Sequence, residues 1–220
     1  MSASATAHGA SPRERRRRED VERRRADVLA AASSVFAAKG FHEAQMSEIA
    51  AAAEVARNTL YTLFASKENL YEETVAAAHE RIRGVVEERA DSLDEPGERL
   101  LSVIDSLFRC YEDNADLLRI YARGTHGLPT QIRGAMGESS LRRFQSFTDW
   151  VIGLAREAQR AGHLGGLDAE TVGVSLIGTV TTTAARWIEL APERSLEDRA
   201  VHVRRQFALL LESTAPGATS

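Results

Sequence analysis

The residue types best suited to meet a charged ligand surface lie close together between Arg57 and Lys67. Arg57 can reach guanine O6 and N7, or a phosphate. The hydroxyls of Thr59 and Tyr61 suit phosphate oxygens, and Lys67 offers a point charge to a nucleic-acid backbone. Asn58 and Thr62 add polar groups, and the stretch from Arg57 to Thr62 holds no carboxylate. Such a face fits phosphates and base edges.

Two short helices would hold these groups in place. Met46, Ile49, Ala50 and Ala53 recur at i, i+3, i+4 and i+7, a single apolar stripe. Leu60 and Phe64 lie one turn apart on a second helix, with Val55 leading into it. A tight turn between them makes a helix-turn-helix whose second helix would enter a DNA major groove. Upstream, Val28, Leu29, Ala32, Val35 and Phe36 form a first helical stripe that Gly40 ends.

The segment from about Arg24 to about Leu70 resembles the DNA-binding domain of the TetR family of transcriptional repressors. Ala31, Phe36, Gly40-Phe41, Ile49-Ala50, Val55, Thr59-Leu60-Tyr61, Phe64, Ser66-Lys67-Glu68 and Leu70 carry the resemblance in that order. It implies that Thr59, Tyr61 and Lys67 contact phosphates, while Arg57, Asn58, Thr62 and Leu63 lie at the bases. Four positions depart from the family pattern. Glu54 stands where the turn often has Gly, so the turn is expected to be strained or distorted. Ala44-Gln45 and Ala56 replace capping hydroxyls before the second and third helices. Leu63 replaces a frequent His or Tyr.

Charge is unevenly distributed. Residues 13 to 25 hold eight Arg against four acids, on a chain of net charge −4. One reading is a basic arm on a DNA backbone or in a minor groove; the other is a solvated helical run with internal ion pairs. Only Val21 anchors this stretch, so it is expected to be a frayed extension of the first helix. Hydrophobic content of 43% fits a globular protein, and no apolar run reaches membrane-spanning length. With no apolar signal region and a lone Cys110, a cytoplasmic protein is expected.

The apolar periodicity predicts an all-α protein of about nine helices and no strand. Its expected parts are a disordered, basic N-terminal arm (1–22), a helix-turn-helix domain (23–70), a helical ligand-binding and dimerisation domain (71–213) and a tail (214–220). Ser66 and Asp168 read as N-caps, Pro96 opens a helix, and Gly127-Leu128-Pro129 breaks one. Phe108, Tyr111, Tyr121, Phe147, Trp150 and Thr182 read either as the lining of a pocket for a small hydrophobic or amphipathic ligand, or as core filling. Arg123 and His126 could face an acidic ligand group or lie solvated near a loop. The eighth helix is apolar or small on most sides, with Gly173 and Gly178 permitting close helix approach. The family resemblance implies a homodimer through the eighth and ninth helices; an interior helix of a monomer is the other reading.

No histidine pair has metal-ligand spacing, no Gly-rich phosphate loop follows a strand, and no cofactor is implied. Cys110 reads as a small buried hydrophobe or a redox-sensing thiol. The expected function is therefore not enzymatic. It is sequence-specific transcriptional regulation on a palindromic operator, most simply repression released by a ligand. The alternative is a helical ligand-binding module of the same fold that has lost DNA recognition.

Overall fold

The computed structural model describes residues 11–125, 131–190, 192–193 and 195–212. The expected break at Gly127-Leu128-Pro129, His126 and both terminal tails fall outside them. Nine α-helices and no strand are found among the described residues: α1 (Pro12–Glu43), α2 (Met46–Ala52), α3 (Arg57–Leu63), α4 (Lys67–Asp91), α5 (Pro96–Asp113), α6 (Ala115–Thr125), α7 (Ile132–Arg160), α8 (Ala169–Leu190) and α9 (Glu197–Glu212).

Local chemistry accounts for most boundaries. Ser66 caps α4, its hydroxyl accepting from the Asn69 amide at 3.1 Å. Glu95 caps α5, accepting from the amides of Gly97 and Glu98 at 3.0 and 2.7 Å. Asp168 accepts from the Thr171 amide at 2.7 Å ahead of α8. Gly40 ends the regular part of α1 with φ of 80°, a value that glycine adopts freely, and one further turn carries the chain to Glu43.

The N-terminal part of α1 differs from the expected frayed arm. Helix begins at Pro12 and runs on without interruption. Ser11 and Glu14 form a capping box: the Ser11 hydroxyl accepts from the Glu14 amide at 3.3 Å, and the Glu14 carboxylate accepts from the Ser11 amide at 2.7 Å. Satisfying the first orphan amides lets a stretch with no core contact stay helical.

Apolar burial divides into two clusters. The first is built by Val28, Phe36, Ile49, Leu60, Phe64 and Leu70 of the first four helices, joined by Ile120 of α6 and Ile132 and Met136 of α7. The second fills the body between α4 to α9, around Ile104, Leu107, Phe108, Val151, Leu176 and Val180. α4 serves both: Leu70, Tyr71 and Val75 belong to the first, Ala78, Ile82, Val86 and Ala90 to the second. α7 and α8 approach closely at Gly173, where a Cβ would lie 2.8 Å from Ile152 Cγ1. Gly178 faces open space instead, so of the two glycines only Gly173 serves helix packing within the chain.

Candidate functional site

α3 stands on the surface on an apolar footing. Leu60 and Phe64 are buried beneath it, with Ile49 and Ala50 of α2 alongside. Its outward face is polar. Arg57, Asn58 and Thr62 are exposed, Tyr61 is 44% exposed, and Thr59 and Leu63 are half-buried. The Arg57 guanidinium sits 5.8 Å from the Tyr61 ring centroid, one turn along. Thr62 differs from a free donor: its hydroxyl donates to the Asn58 carbonyl at 2.9 Å.

The turn before α3 keeps its geometry without glycine. Glu54 adopts φ of 54°, the left-handed region, so the chain absorbs strain at this position rather than reshaping the turn. α2 lacks a hydroxyl cap, yet the Glu48 carboxylate accepts from the Gln45 amide at 3.2 Å and also receives Lys39 at 2.5 Å. No side chain caps Ala56 at the start of α3.

Two cations brace α3 from behind. Arg25 of α1 donates to the Leu63 carbonyl at 2.6 Å, pairs with Glu73 of α4, and lies 4.3 Å from the Phe64 ring centroid. Asn69 holds Glu73 from the other side at 3.0 Å. Lys67 donates to the His42 and Ala44 carbonyls, each at 3.2 Å, and lies 4.6 Å from the Phe41 ring centroid. It joins α4 to the end of α1, whereas the sequence offered it as a backbone charge. The role of Arg25 was not visible in the sequence, where it is one arginine in a run; its partners are 38 and 48 residues away.

In the body, a slim apolar cavity of about 70 Å³ lies between α4, α5, α6, α7 and α8. Tyr111, Tyr121 and Phe147 line it, as the sequence suggested. Phe108, Trp150 and Thr182 do not. Phe108 is 1% exposed within the core, Trp150 packs on Phe147 at the body's edge, and Thr182 is exposed on the outer side of α8. The lining residue of α8 is Thr181, one position and a rotation of about 100° away. His79 and Arg83 of α4 supply the cavity's basic groups. Burial pushes the His79 imidazole below its ordinary range and the Tyr111 phenol above its own. The Tyr121 hydroxyl is buried with no hydrogen-bond partner among the described residues. Arg123 lies away from this cavity and donates to the Ala38 carbonyl at 2.9 Å. Cys110 is buried, and burial raises its thiol pKa, as for a small core hydrophobe.

The outer side of α8 and α9 is apolar and uncovered. Val174, Leu190, Val201 and Leu209 are 50%, 63%, 59% and 55% exposed. Val174, Gly178 and Thr182 recur every four residues along one face of α8. Among the described residues no group of three His, Cys, Asp or Glu could hold a metal ion, and no helix is long and apolar enough to cross a membrane.

Residues 28–74 match the family model of bacterial regulatory proteins, tetR family. The chain is 27% identical over 159 residues to the HTH-type transcriptional regulator YdgC of Bacillus subtilis, covering 70% of this chain and 75% of that one. It is 26% identical over 189 residues to the HTH-type transcriptional activator FasR of Mycolicibacterium smegmatis, covering 85% and 82%. The crystal structure of the regulator FadR from Bacillus subtilis in complex with stearoyl-CoA superposes with a TM-score of 0.71 at 22% identity, covering 84% of this chain and 97% of that one.

Proposed function

We propose that this chain, whose residues 28–74 match the tetR family of bacterial regulatory proteins and which is similar to HTH-type transcriptional regulators along most of its length, is a cytosolic homodimeric repressor released from its operator by a ligand bearing an acyl chain. α3 is the reading helix. Arg57, Asn58 and Leu63 face the bases, with Thr62 beside them; Thr59 and Tyr61 hold phosphates. The uncovered face of α8 and α9 pairs with its copy about a two-fold axis. Two reading helices then meet half-sites of a palindrome about 34–36 Å apart.

One observation carries the switch. Val75 and Met136 belong to the apolar cluster beneath α3 and also line the body cavity. A ligand there touches the footing of the reading helix. The cavity, at about 70 Å³, is far smaller than the ~300–1,000 Å³ of ordinary ligand sites. An acyl chain enters only if α4 moves away from α7 and α8, and α4 carries the reader with it. The spacing of the two reading helices then leaves the operator's period.

Aliphatic and aromatic lining suits an acyl chain, and the FadR relative was crystallised with stearoyl-CoA. Arg83 lines this cavity and also a shallow basin with Arg142, Arg143, Ser139 and Ser146, a landing for an anionic end. The test takes a duplex selected from a random pool and measures affinity with stearoyl-CoA, coenzyme A alone, or neither. Stearoyl-CoA is expected to weaken binding by roughly 5- to 150-fold, the usual range of coupling between sites. Unchanged affinity at saturating stearoyl-CoA overturns the switch.

A further inference from the structure

We propose that the start of α1, residues 12–24, is a stiff rod that docks along the DNA phosphates flanking each half-site. The proposal rests on the reading of α3 as a DNA reader but concerns a separate surface.

Every residue from Ser11 to Arg24 is exposed, and the first buried residue of α1 is Val28. The core therefore does not need this stretch, yet a capping box and Pro12 at its first turn hold it helical. If it were a solvated charge run, its arginines would find acids one turn away. Only one does: Arg23 pairs with Asp20 at 2.9 Å, while the side chains of Arg13, Arg15, Arg16, Arg17, Arg18 and Arg24 make no ion pair or hydrogen bond with any described residue.

The charges are also sorted by side. At about 100° per residue, Arg13, Arg16, Arg17, Arg23 and Arg24 fall within about 120° of arc, with Asp20 the only acid among them. Glu14, Glu19 and Glu22 fall on the opposite side. A one-sided arginine stripe suits a linear polyanion.

The root of the rod fixes where it can lie. Arg25, the residue that follows, donates to the carbonyl of Leu63 at the last position of α3. The rod therefore leaves the protein beside the end of α3, with the stripe on the flank of α1 turned about 140° away from Arg25. From Pro12 to Arg25 it reaches about 20 Å, the length of about six base pairs of duplex.

The test uses the full chain carrying R13Q, R16Q, R17Q, R23Q and R24Q together. Glutamine matches arginine closely in helix propensity, and no core contact is touched. A second variant, R15Q with R18Q, removes charge from the other side. Affinity is measured from 50 to 200 mM salt on a selected duplex, with flanks trimmed stepwise, and on an unselected duplex. The stripe variant is expected to lose roughly 40- to 500-fold of the wild-type salt sensitivity over that range, the effect of about three to five phosphates. The second variant is expected to lose much less. Flank trimming is expected to weaken the wild type and leave the stripe variant unaffected.

Equal salt dependence in the stripe variant and wild type overturns the rod while leaving the operator reading intact. A wild type that prefers no duplex sequence overturns the operator reading, and the unselected duplex still reports on the stripe. Binding of the stripe to anionic phosphatidylserine vesicles but to no duplex overturns the DNA assignment.

Discussion

Arg25 and Leu63, 38 residues apart in sequence, are joined by a 2.6 Å hydrogen bond from the guanidinium to the carbonyl of the last residue of α3. The same guanidinium pairs with Glu73, so α1, α3 and α4 meet on one side chain. Replacing Arg25 with Ala leaves the helix end and a half-buried carboxylate without their partner. Operator affinity is expected to fall about tenfold, on the scale of one charge-assisted hydrogen bond. Arg25→Lys is expected to recover little, because one ammonium cannot span both acceptors. Fluorescence anisotropy on a selected duplex measures it, and wild-type affinity in Arg25→Ala would remove the brace from the account.

Lys67 yields a contrasting expectation. It is held by the carbonyls of His42 and Ala44 and by the Phe41 ring. Lys67→Met is expected to cost about 1–2 kcal/mol of stability from lost hydrogen bonds and cation–π contact. A residue neutralising one phosphate would change the salt slope of operator binding by about 0.9. If the slope falls by that amount while denaturant stability stays fixed, Lys67 is a phosphate contact and not a brace.

Glu54 sits in the left-handed region at the turn between α2 and α3. Glu54→Gly removes the clash between Cβ and the following carbonyl. The unfolding free energy is expected to rise by about 1 kcal/mol, or about 2–4 °C in midpoint for a chain of this size. Circular dichroism melting decides it, and a lowered midpoint would contradict the strain.

The buried Tyr121 hydroxyl lacks a partner among the described residues. Tyr121→Phe is expected to stabilise the ligand-free protein by about 1 kcal/mol, since an unmade buried hydrogen bond is removed. It is also expected to weaken the acyl ligand that would satisfy that hydroxyl. Chemical denaturation and stearoyl-CoA titration together measure the trade, and a destabilised variant would mean that the hydroxyl is satisfied.

His79 gives a pH signature. Burial lowers its pKa, chiefly by disfavouring the imidazolium; neighbouring Arg143 and Arg83 act the same way, and Glu80 opposes them. The unfolded chain therefore binds a proton that the folded chain refuses. This contribution to stability is complete above the unfolded value of about 6.5 and is lost as pH falls towards the folded value. Acidifying from pH 7.5 to 5.5 is expected to lower the melting midpoint of the wild type more than that of His79→Gln. Parallel curves would exclude His79 as the source.

Several helix boundaries were legible because their causes are local. Ser66 and Asp168 bond to amides three residues on, and Gly40 turns the chain by itself. The apolar footing of α3 was legible for the same reason, through the spacing of Ile49, Leu60 and Phe64. The start of α1 was missed although its Ser11–Glu14 capping box is equally local, because that stretch lacks the apolar periodicity that marks a helix. The cavity was legible only in part. Thr181 and Thr182 are equally plausible on paper, and the rotation of α8 against α7, set by Gly173 on Ile152, chooses between them. Arg25 and Lys67 escaped because their partners lie in other helices, beyond the reach of periodicity.

Because α4 crosses from one apolar cluster to the other inside an unbroken helix, the reader is not a portable cassette. Grafting residues 11–91 onto a relative's body would strand Ile120, Ile132 and Met136 on the wrong side of the splice. A chimera that keeps its fold must transplant those three side chains along with the head, so new operator preferences in this lineage are best sought by changing α3 in place.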